Sequence, residues 1–418
     1  MSIFVQIASY RDPQLVPTLR DCLKNADYPN KLVFCIAWQH SEDETLMEFR
    51  AHPQVKVIDI DYRNSKGVCW ARHQIQQHYN GEDYTLQLDS HHRFVRGWDT
   101  KCLTMIKQLK RKGTVKPLLT GYLPSFDPDH DPASRVNKPW RMVYDHFTPD
   151  GTVLFLPETI DNYAKLCEPV RAHFYSGHFC FTLGQFCREV PHDPNYYFHG
   201  EEISISARAF TWGYDLFHPH QVIIWHEYTR QGRTKHWDDQ VQWHELNTRC
   251  QQRNRCLFSM DGAKYESIDW GAYGFGKHRS LQEYEEYTGL DFKTRGLKSH
   301  TRSLGLTHHV TQRVTQRVTH RVLIPLSSVP HDDYDFWSIS FEHDGVIIHR
   351  QDIDESTCRS LLSNVRSRSR SHNLNRPLFV EILCEFDCAQ QPDKVVTRPH
   401  SRKHGCGDQV TFYFKNYK

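Results

Sequence analysis

Over its first 89 residues the chain alternates apolar stretches with amphipathic ones, and this alternation restricts the fold more than any other feature. Residues 3–8 (Ile-Phe-Val-Gln-Ile-Ala) read as a strand. They are followed by Ser9-Tyr10-Arg11-Asp12-Pro13 and a helical pattern in Leu15, Val16, Leu19, Cys22, Leu23 and Ala26. Asp12-Pro13 reads as an N-cap with proline at the first helical position. Residues 31–38 are almost continuously apolar, as suits a strand buried on both faces. An acidic helix start (Ser41-Glu42-Asp43-Glu44), a strand at 55–61, a helical pattern through Val68, Ala71, Ile75 and Tyr79, and a strand at 84–89 complete the series. Strands separated by helices of this length predict an α/β fold with a mostly parallel sheet covered on both faces. The strand exits at Ser9-Tyr10-Arg11, Asp61 and Asp89-Ser90-His91 then share one sheet edge, where open α/β sheets bind ligands. No GxGxxG follows the first strand and no Walker loop occurs, so a phosphate bound here needs another partner. A metal ion is the evident substitute.

Asp89 and His91 place a carboxylate and an imidazole two residues apart at a strand's carboxyl end, and such a pair can share one divalent cation. Taken alone, the triplet equally suits a turn cap beside solvated histidines. His226 follows the apolar residues 222–225, is a second strand-end histidine, and is the candidate third ligand. Tyr196-Tyr197-Phe198-His199-Gly200-Glu201-Glu202 leads into a helix with Ile203, Ala207 and Phe210 on one face. Glu201 and Glu202 either complement the helix dipole or, behind a glycine and aromatic residues, face a pocket. Residues 171–183 read as an aromatic strand in which Gly177 lets a ligand come close. Residues 124–152, rich in Pro, Asp and Gly, read as a loop. Asp127, Asp129 and Asp131 alternate within it but lack the glycine and closing glutamate of a calcium loop.

The 52 basic and 50 acidic side chains leave a net charge of +2, which excludes an overall field for nucleic acid or a membrane surface. The 13 cysteines include no Cys-x-x-Cys pair, against zinc ribbons and thioredoxin chemistry. No apolar run is long enough to span a bilayer, and Met1 leads directly into a strand, so a soluble cytoplasmic protein is expected. A chain of 418 residues suits one large domain and a smaller one. The character changes near residue 300, and the segment from Val310 to Val322 repeats Val-Thr-Gln/His-Arg, as an extended linker or edge strand does. The expected organisation is a catalytic domain at 1–300, a linker at 301–329, and a small α+β or β-rich module at 330–418 with a solvated basic loop at 366–371.

Repeated βα units ending in Asp-x-His, without a phosphate loop but followed by Gly-Glu-Glu and a strand-end histidine, meet the needs of nucleotide-sugar transfer. A divalent ion held by Asp89, His91 and His226 can bridge two phosphates and offset charge on a departing diphosphate. A metallohydrolase built on the same residues calls for more ligands. Phe4-Val5-Gln6-Ile7-Ala8-Ser9-Tyr10-Arg11-Asp12, Leu86-Gln87-Leu88-Asp89-Ser90-His91-His92-Arg93-Phe94 with Gly97-Trp98-Asp99, and Phe198-His199-Gly200-Glu201-Glu202-Ile203 carry a family resemblance. So do His226-Glu227-Tyr228-Thr229-Arg230 and His236-Trp237. Together they resemble the polypeptide N-acetylglucosaminyltransferases that modify hydroxyproline on a ubiquitin-ligase subunit in protists, with relatives in bacteria and algae. The resemblance spans residues 2–290 and does not reach the tail.

That resemblance implies a GT-A type, Rossmann-like nucleotide-sugar-binding sheet, a UDP-GlcNAc donor, Mn2+ (or Mg2+), and retention of anomeric configuration. It implies Asp89, His91 and His226 as the metal ligands, and Ser9, Tyr10 and Arg11 where uridine lies. Asp61 and Arg72 become candidates for nucleoside or diphosphate contact. Glu201 and Glu202 match a motif facing donor sugar and acceptor, as positioning groups and not as a general base. The expected acceptor is a hydroxyl on a protein (hydroxyproline, Ser or Thr). The competing readings are another nucleotide sugar or a glycan, lipid or small-molecule acceptor, and a binding module without turnover.

Overall fold

The computed structural model describes residues 1–148, 150–229, 233–298, 316–343, 346–371, 378–388, 391–401 and 403–414. The chain forms two compact units, one built chiefly on residues 1–298 and the other on residues 316–414. In the first, β1 (Ile3–Tyr10), β2 (Leu32–His40), β3 (Val55–Asp61) and β4 (Tyr84–Leu88) are parallel, joined through α1 (Leu15–Asn25) and α2 (Val68–Gln76). Next come β5 (His92–Phe94), α3 (Trp98–Arg111), β6 (Lys116–Thr120), the hairpin β7 (Trp140–Phe147) and β8 (Val153–Thr159), and β9 (Val170–Arg171). β10 (Phe179–Leu183), α4 (Phe186–Glu189), α5 (Glu201–Thr211), β11 (Tyr214–His218) and β12 (Ile224–His226) follow. α6 (His236–Asp239), α7 (Trp243–Leu257), α8 (Leu281–Thr288), β13 (Leu290–Asp291) and β14 (Gly296–Leu297) end the unit.

Among the described residues one eight-stranded sheet runs in the order β3-β2-β1-β4-β10-β6-β11-β9. The α/β class matches expectation, but the sheet is mixed and not mostly parallel. β10 lies antiparallel to both β4 and β6. Alternation along the strands sends Val5, Ile7, Phe34, Ile36, Leu86 and Leu88 to one face, where they pack with Trp98 of α3. Phe4, Cys35 and Ala37 go to the other face, against Ala71 and Ile75 of α2. Trp98 is fully buried, and its indole N–H donates to the Cys22 carbonyl at 3.0 Å. Both sheet faces are thereby covered, which leaves the strand ends as the accessible edge.

Three readings of this unit need correction. The acidic segment 41–44 starts no α-helix, and only a 3-10 turn at Met47–Ala51 lies between β2 and β3. The stretch 124–152 is not wholly loop, because β7 occupies Trp140–Phe147 and pairs with β8. Nor is 171–183 one strand: regular pairing begins at Phe179, and residues 172–178 are irregular. Among the described residues no helix is long and apolar enough to cross a membrane.

The second unit contains, in chain order, β15 (Gln316–Pro325), β16 (Tyr334–His343), β17 (Val346–Asp354), α9 (Glu355–Ser371), β18 (Phe379–Cys388), β19 (Lys394–Ser401), β20 (Gly405–Cys406) and β21 (Val410–Tyr413). It is α+β, with a core around Trp337, Ile339, Phe341, Cys358, Leu362 and Ile382. The Val-Thr-x-Arg repeat ends in β15, which pairs with β18, while its beginning and residues 301–315 of the expected linker lie outside the described residues. The basic run 366–371 belongs to α9 and not to a loop.

Candidate active site

The topology gathers distant residues at one sheet edge. β1 and β4 run parallel, with Ile7 opposite Leu88, so Ser9–Asp12 and Asp89–His91 leave the sheet side by side. β10 enters antiparallel with Phe179 opposite Leu88, which delivers Ser176, Gly177 and His178 to the same place. β6 exits there too, since Thr120 faces Cys180. β12 pairs with β5, His226 opposite His92, and the His226 N–H donates to the Pro124 carbonyl at 3.0 Å.

Asp89, His91 and His226 come together as expected. Asp89 Oδ2 lies 3.7 Å from His91 Nε2 and 3.6 Å from His226 Nε2. These separations are too wide for hydrogen bonds and suit a cation between the atoms, with bonds of about 2.0–2.2 Å. His226 is buried, and among the described residues neither of its ring nitrogens has a hydrogen-bond partner. Burial holds its pKa well below the usual range, so the imidazole is neutral, the form that binds metal. Burial pushes the Asp89 carboxyl up, but the imidazole of His226, the Arg72 guanidinium and His91 outweigh it and hold it well below the usual range. The donor set is two imidazole nitrogens and one carboxylate oxygen, which fits a divalent ion.

Asp12 completes the arrangement, and it was not singled out as a site residue. Its Oδ2 sits 2.7 Å from His91 Nδ1, leaving Nε2 for a metal, the usual division in carboxylate–histidine–metal sites. The same oxygen accepts from Ser90 Oγ at 2.7 Å and Arg233 Nη1 at 3.0 Å. Its other oxygen accepts the Gln14 N–H at 2.8 Å in the turn ahead of α1, whose N-cap is Gln14 and not Asp12 as expected. Arg233 also meets His91 and pairs with Glu227 at 2.5 Å.

Arg72, 3% exposed, joins two parts of the site. Its Nη2 donates to Asp89 Oδ1 at 2.9 Å and its Nη1 to Glu201 Oε1 at 3.2 Å. Glu202 accepts the Gly177 N–H at 2.8 Å and the Tyr122 hydroxyl at 3.1 Å. Gly200, at φ +91°, turns the chain into α5 so that both carboxyls begin the helix beside the site. Burial raises both pKa values; Glu202, further raised by the charge of Glu201, reaches about 8. Because Arg72 lies against Glu201, a proton near neutral pH belongs on Glu202. Around the ligands, His178 stacks on His226 with ring centroids 4.1 Å apart, and Tyr228 meets His226 edge-on at 4.3 Å. His92 is committed elsewhere: Nδ1 lies 3.0 Å from the Trp225 carbonyl and Nε2 accepts the Asp89 N–H at 3.3 Å.

The remaining expected residues are arranged differently. Ser9 is buried, its hydroxyl lacks a partner among the described residues, and its carbonyl accepts from Gln39 at 3.0 Å. Asp239 of α6 accepts from the Tyr10 hydroxyl at 2.7 Å and from Arg11 Nη1 at 2.9 Å, and Arg11 lies over the Tyr62 ring. Asp61, at the end of β3, accepts the Arg63 N–H at 2.9 Å and pairs with the Arg63 side chain. Among the described residues its hydrogen-bond and ion-pair partner is thus Arg63 and not the metal triad. Tyr122, Ser176 and His178 carry no periodic signal at all.

Among curated proteins no significant sequence match is found. Among solved structures the chain is similar to GalNAc-T7 with UDP, GalNAc and Mn2+, at 15% identity and a TM-score of 0.46, over 85% of this chain and 67% of that one. It is also similar to S. aureus TarS in complex with UDP, at 13% identity and a TM-score of 0.36, over 59% of this chain and 64% of that one. The family model described as Glycosyltransferase (GlcNAc) matches residues 2–48 and 44–294, well over half of the chain, and the chain belongs to that family of glycosyltransferases.

Proposed function

We propose that this glycosyltransferase moves N-acetylglucosamine from UDP-GlcNAc to a hydroxyl on a protein, with hydroxyproline, Ser or Thr as the acceptor residue, and with retention. The observation that carries the reading is the triad itself. A buried neutral imidazole without a hydrogen-bond partner among the described residues, His226, lies with His91 near one oxygen of Asp89, while Arg72 fixes the other. Asp89, His91 and His226 hold Mn2+ (or Mg2+) in this reading. Such an ion would supply positive charge to offset the charge on the leaving UDP.

The chain's own groups do the rest. Ser9, Tyr10 and Arg11 border the uridine, and Asp61 and Arg72 border the nucleoside and diphosphate. Arg72 keeps Asp89 oriented and ionised. Glu201 and Glu202 orient the sugar and the incoming hydroxyl, Glu202 as a neutral carboxyl able to donate. The acceptor oxygen forms its bond to the anomeric carbon on the face from which the phosphate oxygen leaves, and that oxygen takes the acceptor's proton. No side chain is assigned as base.

The test is a panel of UDP- and GDP-sugars with Mn2+, following nucleotide release and then product mass by spectrometry on acceptor proteins. Fastest UDP release from UDP-GlcNAc, with a HexNAc mass gained on a hydroxylated residue, is expected. Preference for a GDP-sugar, or release of inorganic phosphate, would overturn the reading.

A further inference from the structure

Within the second unit, two turns meet through one carboxylate. Asp333, just before β16, accepts the Ser401 hydroxyl at 2.8 Å through Oδ1 and the Lys403 N–H at 3.0 Å through Oδ2. Ser401 Oγ also accepts the His404 N–H at 3.1 Å, so the turn after β19 is held at both ends. On the other side the His331 N–H donates to the Tyr334 hydroxyl at 3.1 Å. Arg366 of α9 donates to the carbonyls of Val329 and His331, at 3.1 and 2.9 Å. The backbone that carries each of the three side chains is therefore fixed.

The side chains these turns present are metal-binding in type. One ring nitrogen each from His331 and His404 and one oxygen of Asp333 all lie within 4.8 Å of one another. The two imidazoles lie face to face, with centroids 3.9 Å apart and planes 13° from parallel. His404 is exposed, and a shared ion requires its ring to turn out of the stack so that both nitrogens face one point. Two imidazoles and a carboxylate form the donor set of zinc sites that keep a position open for water. We infer that His331, Asp333 and His404 form a second divalent-metal site, of the zinc class, which clasps the turn before β16 to the turn after β19. Ligands from two separate turns give such an ion a stabilising role, because binding requires both turns in place. This site is independent of the triad in the first unit and of the donor it serves.

The experiment uses the full chain carrying Asp89→Ala, which silences the first triad. Zn2+ is titrated against a chromogenic chelator, and hydrogen exchange is followed in residues 330–334 and 401–404. Zn2+ uptake with slowed exchange in both turns is expected. Adding His331→Ala or His404→Gln should weaken uptake by about tenfold or more and remove the protection. The exposed His404 tolerates replacement, so His404→Gln separates ligation from folding. Equal Zn2+ affinity and equal protection with these variants, or no protection of the turns by Zn2+ in the Asp89→Ala chain, would overturn the inference. Because protection is read at the turns themselves, its failure is distinct from any failure of the transferase assignment.

Discussion

Asp12 acts on the site through another residue. Buried at 6% exposure, it orients His91, fixes Ser90 and receives Arg233 through a single oxygen. Burial raises its pKa, but the bond to His91 and the charges of His91 and Arg233 bring it down to about 2. Its contribution to stability is therefore present above its ordinary 3.8 and is lost as pH falls through about 2. Asp12→Asn should weaken Mn2+ binding by about 10–100-fold with the fold intact. Calorimetry decides, and an unchanged affinity would remove Asp12 from the site. Glu202 has the opposite sign. With a folded pKa of about 8 against an ordinary 4.5, it holds its proton more tightly in the folded state. Its contribution is full below 4.5 and lost as pH rises through 8. A series of melting temperatures across that window should decline in the wild type and flatten in Glu202→Gln; parallel curves would mean that Glu202 is ionised throughout.

At the scale of elements, the irregular entry to β10 is the most demanding part of the site. A Cβ on Gly177 would stand 2.5 Å from Glu201 Oε1 and 3.2 Å from Arg72 Nη1. The end of Glu201 can shift, but only by leaving Arg72. Gly177→Ala should lower kcat by about 100-fold, as misplacement by an ångström does, with little change in melting temperature. A melting temperature that falls with activity unaltered would make Gly177 merely structural. This stretch also marks where the sequence becomes opaque. Asp89, His91 and His226 were legible because strand periodicity stops next to them. Residues 172–178 have no period, and the partners of Ser176 and His178 lie as far away as Thr120 and Leu123. Asp12 was visible only in its local role at α1, since its second oxygen is committed across 79 residues. The end of α9, residues 366–371, was read as loop because Ser and Arg dominate it. The helix's stripe of Cys358, Leu361, Leu362 and Val365, which packs on the second core, has the helical spacing that overrides that composition.

Across the whole molecule, the family's sequence signature ends at residue 294, and the second unit has its own core and α+β fold. The transferase chemistry is thus argued entirely within the first unit, where parallel exits of β1 and β4 and the antiparallel entry of β10 converge. The parallel half of that sheet follows from sequence alternation, whereas the insertion of β10 between β4 and β6 is a long-range pairing that no local pattern specifies. The central claim is that Asp89, His91 and His226 hold the ion on which donor binding depends. Its most direct test is UDP binding to the full chain by calorimetry, with and without Mn2+, in wild type and Asp89→Ala. Wild type should bind UDP only weakly without Mn2+ and tightly with it, and Asp89→Ala should lose at least about 100-fold of the Mn2+-dependent affinity. Equal Mn2+-dependent UDP binding by the two proteins would contradict the account.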